Sequence, residues 1–303
     1  QLFKYQYKYN KIYKNYIDLS YSTIPDITSY KEIPFLPIEL FRTNKIVLKQ
    51  HTPQQLFLSS GTTDTNRSQH YVVDLSIYKQ SILKNFRFTF GDPEKLVFFC
   101  LVPDYTTHPN SSLAFMCNEL IKSSKHTLSD FYINKKMELI NNINHCVECN
   151  MKFVLFGLSA EILNFAQQCE INLNNNIVIE TGGDKKSSNY IVKKNLHEML
   201  KTLFNTQNIY SEYGMAELLS QSYMIRNKLF QPPPWKKVLI RDKTNPYKII
   251  EDGKRGCINV IDLANLYSCG FIATNDLGHK NRNQFSINGR SQNATARGCS
   301  LMT

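Results

Sequence analysis

Apolar positions along this chain fall into two rhythms. Near the start, Phe3, Tyr7, Tyr9, Tyr13 and Tyr16 recur at helical spacing, so one N-terminal helix is expected to lay an aromatic stripe on the core from Leu2 to Tyr16. Ile33-Pro34-Phe35-Leu36-Pro37-Ile38 cannot continue it, because each proline lacks an amide hydrogen and restricts the residue before it, and an extended connector is expected. From there short apolar runs predict strands over Leu96–Val102, Phe153–Phe156, Ile177–Ile179 and Asn208–Tyr213, and amphipathic segments predict helices over Ser112–Ser123, Asn134–Asn144, Ser159–Cys169 and Ile191–Phe204. Strands that alternate with helices imply an α/β fold, a mostly parallel sheet with helices on both faces. Pro232-Pro233-Pro234 breaks the rhythm. Beyond it Val238–Arg241, Tyr247–Ile250, Cys257–Asp262 and Phe271–Thr274 predict a C-terminal antiparallel β meander, so the chain divides into a core over 1–231 and an antiparallel β subdomain with a tail over 232–303.

Composition narrows this picture only a little. With 303 residues and 42% hydrophobic content the chain suits a soluble globular protein with a substantial core. No run of 18 apolar residues and no secretory leader pattern appears, which predicts no stable membrane insertion and a cytoplasmic location. The 36 basic side chains exceed the 25 acidic ones, and the net charge of +11 suits anionic ligands. Those bases are spread along the chain rather than gathered with aromatics on one patch, so nucleic acid is not the expected partner. The eight cysteines lie mostly in apolar stretches and read as reduced, buried thiols; Cys146-Val147-Glu148-Cys149 lacks the second pair that a structural zinc site needs.

Candidate chemistry begins at Ser59-Ser60-Gly61-Thr62-Thr63, a hydroxyl-rich loop after an apolar run, followed by Arg67. Gly61 lets the backbone approach an anion, the hydroxyls and amides donate to it, and Arg67 adds charge, a combination suited to phosphate. The P-loop spacing of glycines and lysine is absent. Three further elements follow in order: Thr181-Gly182-Gly183 after the strand at 177–179, Tyr213-Gly214-Met215-Ala216-Glu217, and Thr274-Asn275-Asp276 with Gly289-Arg290 behind it. Taken singly, each has an ordinary reading: Ser59–Thr63 as a turn, Tyr213 as a core residue, Glu217 as a helix residue, Asp276 as a turn former.

Together, in this order, they resemble the adenylate-forming superfamily of acyl-CoA synthetases and carboxylate ligases. Ser29-Tyr30-Lys31-Glu32-Ile33-Pro34-Phe35-Leu36-Pro37 and the tail Ala296-Arg297-Gly298-Cys299-Ser300-Leu301 are similar to segments of its acyl-protein synthetase (LuxE-type) family, related to phenylacetate-CoA ligase. The resemblance implies the superfamily's large-domain fold, ATP and Mg²⁺ as cofactors, a carboxylic acid substrate that is fatty in the LuxE-type case, and a protein that donates or accepts the acyl group.

It also implies roles. Ser59, Ser60, Gly61, Thr62, Thr63 and Arg67 would hold phosphates, with Thr62 and Glu217 near the metal; Thr181, Gly182, Gly183, Tyr213 and Gly214 would line the adenine; Asp276 would bind the ribose hydroxyls and Arg290 the ribose or α-phosphate. Cys299, next to Gly298 and two residues from Arg297, would carry the acyl group as a thioester, a nearby cation favouring its thiolate, with a buried structural cysteine as the alternative. His70 is a candidate to orient the carboxylate, with an ordinary packed histidine as the alternative. The sequence departs from the pattern at Asp64, where a glycine is usual, and in the short stretch after Arg290, which implies that the small lid domain is absent. The rival readings are an acyl-CoA ligase and a non-catalytic nucleotide- or nucleic-acid-binding relative.

Overall fold

The computed structural model describes residues 1–60, 67–182, 193–226 and 228–291. Helices α1 (Leu2–Tyr9) and α2 (Lys11–Ser20) open the chain and are followed by β1 (Leu36–Pro37), α3 (Leu40–Thr43), β2 (Gln55–Leu58), β3 (Gln69–Val72) and α4 (Leu75–Phe90). Next come β4 (Val97–Leu101), α5 (Ser112–Ser123), β5 (Asp130–Phe131), α6 (Lys136–Glu148), β6 (Phe153–Leu158), α7 (Ser159–Gln168), β7 (Ile177–Thr181), α8 (Lys193–Phe204) and β8 (Ile209–Tyr213). Strands β9 (Ser222–Arg226), β10 (Leu229–Gln231), β11 (Lys236–Arg241), β12 (Arg255–Asp262), β13 (Phe271–Asn281) and β14 (Gln284–Phe285) complete the described chain.

Strands β5, β4, β6, β7 and β8 lie side by side and parallel, β9 and β10 continue antiparallel, and β14, β13, β12 and β11 extend the same sheet. The α/β architecture with its C-terminal antiparallel strands is the one the apolar rhythm predicts. Every side chain of β4 and β6 is buried, as a strand covered on both faces requires. One face packs Phe57, Ile82, Phe86, Phe98 and Phe156 with residues of α5, and the other packs Phe99, Phe153, Leu155, Ile162 and Phe204 with residues of α6. Burying each such side chain contributes on the order of 1.5–3 kcal/mol. A third cluster joins Phe3, Tyr13 and Phe41 to Val238, Ile258, Phe271 and Ile272, so the first residues of the chain pack on its last strands.

Local expectations fail in three places for identifiable reasons. The N-terminal helix is two helices, because Asn10 leaves the helical region (φ −96°, ψ 104°) and its side chain accepts hydrogen bonds from the Ile12 and Tyr13 amides while donating to the Ser268 carbonyl at 2.8 Å. An asparagine that can cap and also satisfy a distant carbonyl outcompetes helix continuation. Tyr247–Ile250 is not a strand but a turn tied by a single bridge from Ile249 to Arg241. Glu217 starts no helix and lies in a tight turn, where the Leu218 amide reaches the Met215 carbonyl. Among the described residues, no helix is long and apolar enough to cross a membrane. Five described cysteines are buried as expected, whereas Cys149 is exposed and Cys169 partly so.

Candidate active site

Parallel strands β7 and β8 end together, with Thr181 in register with Glu212. Their C-terminal ends deliver Thr181-Gly182 and Tyr213-Gly214 to one edge, where open α/β sheets form ligand crevices. Gly182 has φ +87°, a left-handed conformation in which a side chain would be strained. The Thr181 hydroxyl donates to the Glu212 carboxylate, whose Oε1 lies under Gly214 where a Cβ would have to sit. Behind these ends, the Ser159 hydroxyl donates to buried Glu180 at 2.5 Å and lies 2.9 Å from the Gly182 carbonyl. Ser211 also donates to Glu180, and His197 Nε2 lies 3.0 Å from the Ser211 hydroxyl.

Asp276 reaches this edge through a bulge in β13. Asn259 pairs with Ala273 and Cys257 with Leu277, so Ile258 alone stands opposite Thr274, Asn275 and Asp276. Such an insertion bends a strand and re-aims its side chains. The bulge is braced: the Arg241 guanidinium donates to the Ile258 carbonyl at 3.0 Å, the Asn259 amide oxygen at 2.6 Å and the Thr274 carbonyl at 2.7 Å. Thr274 Oγ1 donates to the Ile258 carbonyl at 2.8 Å. Asp276, thus aimed, accepts from the Tyr213 hydroxyl at 2.8 Å on one oxygen and from Arg290 Nε at 2.9 Å on the other. Burial, and then the Asp276 charge, push the Tyr213 phenol well above its usual pKa, so it stays a protonated donor. Three residues far apart in sequence therefore form one connected cluster.

The other candidates lie around β3 and the 214–221 turn. His70 is fully buried and bound at both ring nitrogens, 2.7 Å from the Ala216 carbonyl and 2.9 Å from the Ser268 hydroxyl. A carbonyl only accepts, so Nδ1 carries the hydrogen and Nε2 accepts from Ser268. Burial pushes the imidazole from 6.5 down to about 4, which keeps it neutral at ordinary pH. Glu217 is fully buried beside it, close enough for its charge to oppose that shift. At the neck of the hydroxyl loop, the Ser59 amide donates to the Ser68 carbonyl at 3.0 Å and the Ser68 amide to Ser59 Oγ at 2.8 Å. Ser60 and Arg67 flank this neck, both half-buried. Gly61, Thr62, Thr63, Asp64, Gly183 and Cys299 lie outside the described residues.

Several charged groups escape the sequence reading: Glu180, Glu212 and Arg241 above, and also Lys236 and Asp262. Lys236 is buried, donates to the Ser220 carbonyl at 2.8 Å and sits 5.2 Å from the Tyr213 ring centroid. Asp262 is fully buried and accepts from the Leu219 amide, the Ser220 hydroxyl and the Ala264 amide at 3.0, 2.6 and 3.1 Å. Lys236 opens a strand whose next apolar residues are Val238, Leu239 and Ile240, and period-two alternation from Val238 puts it on an inward face. That was the available signal.

No protein-family model and no curated protein matches this chain. Solved structures do. The ATP-bound MatB from Rhodopseudomonas palustris is 16% identical over 79% of this chain and 48% of its own, with a TM-score of 0.55. The long-chain-fatty-acid-CoA ligase FadD1 from Archaeoglobus fulgidus is 11% identical over 80% of this chain and 52% of its own, with a TM-score of 0.57. An open conformation of 2-hydroxyisobutyryl-CoA ligase in complex with 2-HIB-AMP and CoA is 10% identical over 98% of this chain and 69% of its own, with a TM-score of 0.69. The chain spans about half the length of the first two. At these identities the likeness concerns the fold alone, an α/β sheet with C-terminal antiparallel strands that matches part of each of these chains.

Proposed function

We propose that this protein binds ATP with Mg²⁺ and activates a carboxylic acid as its acyl-adenylate, then passes the acyl group to a cysteine thiol in the manner of the LuxE-type family. The single observation that carries adenylation is the Tyr213–Asp276–Arg290 cluster beside the ends of β7 and β8. A buried carboxylate with two fixed donors is oriented for ribose hydroxyls, and the uncovered backbone at Gly182 leaves room for a flat base against it.

In the first half-reaction a carboxylate oxygen of the acid attacks the α-phosphorus of ATP. The new P–O bond forms as the bond to the β-phosphate oxygen breaks and pyrophosphate leaves. Arg290, a third exposed and paired with Asp276, would also lend positive charge to the α-phosphate. Glu217, buried in the turn after Tyr213, would offer the hard oxygen that Mg²⁺ requires, with Thr62 or Thr63 as hydroxyl partners. When bound there, Mg²⁺ would supply positive charge against the departing pyrophosphate. His70, neutral and bound at both nitrogens, holds β3 to the 214–221 turn and so positions Glu217 rather than meeting substrate.

In the second half-reaction the Cys299 thiolate attacks the acyl carbonyl, the C–O bond to AMP breaks, and a thioester forms. The described buried cysteines are poor rivals: burial pushes Cys146 to about 11 and Cys269 to about 12. A nucleophile on an acyl-accepting protein partner would then take the acyl group as the C–S bond breaks and Cys299 leaves as the thiol, whereas an acyl-donating partner would act earlier, by supplying the acid. The CoA ligases among the structural neighbours support CoA as the rival acceptor. The deciding test is acid-dependent exchange of labelled pyrophosphate into ATP, followed by intact-mass analysis. Exchange with a mass increase of one acyl group, lost in Cys299→Ser, supports both halves. Exchange with CoA-dependent AMP release and no acyl-protein refutes the thiol assignment, and no exchange with any acid refutes adenylation.

A further inference from the structure

Lys236 is a buried ammonium whose charge is offset by two buried carboxylates, Asp262 and Glu212, with neither of which a hydrogen bond is seen. Its hydrogen-bond acceptor among the described residues is the Ser220 carbonyl, 2.8 Å away, and its nearest π surface is the Tyr213 ring, 5.2 Å from Nζ to centroid. The charged and titratable groups facing it are Asp262 from the end of β12, Glu212 from β8 and the Tyr213 phenol. Both carboxylates favour the Lys236 cation through their charge, while their hydrogen bonds go to other groups. Asp262 holds the 219–220 segment through three hydrogen bonds, and Glu212 takes the Thr181 hydroxyl. The far end of the Tyr213 ring meets Asp276, which meets Arg290. Lys236, Tyr213, Asp276 and Arg290 thus form one line of contacts through the candidate nucleotide site.

We propose that Lys236 is a positioning residue for the nucleotide site, acting through Tyr213, and that its positive charge is what the site uses. This rests on the adenylation reading above. An ammonium against the ring is attracted to its π face, which fixes the ring plane. It also withdraws electron density from the phenol, which strengthens O–H donation to Asp276 and holds that carboxylate in place. The same charge adds a favourable field for a polyanionic ligand in a poorly solvated site.

Deprotonation separates charge from structure. A neutral amine fills the same volume and still donates to the Ser220 carbonyl. A lysine that only closed the turn would therefore leave nucleotide binding unchanged when it titrates. Burial pushes Lys236 from 10.5 down to about 8, so the cation is present below pH 8 and is lost as pH rises through that value.

The experiment is calorimetric titration of the full chain with ATP and Mg²⁺ from pH 7.0 to 9.5, for wild type, Lys236→Met and Lys236→Arg. Wild-type affinity is expected to be level near pH 7 and to fall about tenfold by pH 9.5, the scale of a desolvated cation–π contact. Lys236→Met should bind about tenfold more weakly at pH 7 and show no such fall. Lys236→Arg, which keeps its charge throughout, should bind more tightly than Lys236→Met at pH 7 with a flat profile. A flat wild-type profile, or a Lys236→Met variant with the wild-type slope, overturns the proposal while leaving ATP binding intact. If wild type binds no ATP at any pH, the adenylation reading falls and this proposal with it. The wild-type profile needs no variant, so a folding defect in either substitution does not shield the proposal.

Discussion

Replacing His70 by glutamine should remove a defined share of the protein's acid lability. The folded state holds the imidazole neutral, with a pKa pushed from 6.5 to about 4 by burial. Above pH 6.5 the ring is neutral folded or unfolded, and the stability it supports is fully present. Below 6.5 the unfolded chain takes up a proton that the folded chain refuses until about pH 4, so stability is lost as pH falls through this window. At roughly 1.4 kcal/mol per unit, the loss between pH 7.5 and 5.0 is about 2 kcal/mol. Glutamine cannot titrate. At pH 7.5 it should cost about 1–2 kcal/mol, because it reproduces the bonds to Ala216 and Ser268 imperfectly. Urea unfolding followed by the fluorescence of Trp235, the one tryptophan, measures both proteins at both pH values. The wild type should lose about 2 kcal/mol more than the variant on going to pH 5.0. Equal losses would refute the assignment of a neutral, buried His70.

Other expected outcomes follow from the same geometry. Asp276→Asn removes the charge that binds Tyr213 and Arg290 and should weaken ATP binding about tenfold to a hundredfold by calorimetry, the scale of a charge-assisted hydrogen bond. Arg241→Lys loses the planar fork that bridges Ile258, Asn259 and Thr274; it should cost about 2–3 kcal/mol in urea unfolding and weaken ATP binding as well. Gly214→Ala drives a methyl into Glu212 Oε1 and should cost about 1–3 kcal/mol, read as a lower melting temperature.

The parallel half of the fold was legible because its strands are covered on both faces and read as continuous apolar runs, and α5 matches its predicted bounds at Ser112–Ser123. The long helix α4 was missed: Tyr78, Ile82 and Phe86 keep helical spacing, but Phe88 and Phe90 blur it. Strand β9 was hidden because Ser222 and Tyr223 look like part of the turn that precedes them. At the candidate site the sequence named Tyr213, Asp276 and Arg290 from their motifs, and the structure brings all three into hydrogen-bond contact. What could not be read was the means: a bulge set by pairing register, and an arginine at 241 whose partners are backbone carbonyls of other strands. Such contacts depend on tertiary placement and leave no local pattern. Lys236 was passed over although the alternation from Val238 marks its face as inward, because a lysine beside another lysine at a strand start is ordinarily solvated.

Pyrophosphate exchange into ATP, measured across a panel of fatty, aromatic and short-chain acids with wild type and Asp276→Ala side by side, tests the central claim most directly. Adenylation predicts exchange that requires both Mg²⁺ and one class of acid and that collapses in the variant. Exchange absent with every acid, or undiminished in Asp276→Ala, would contradict it.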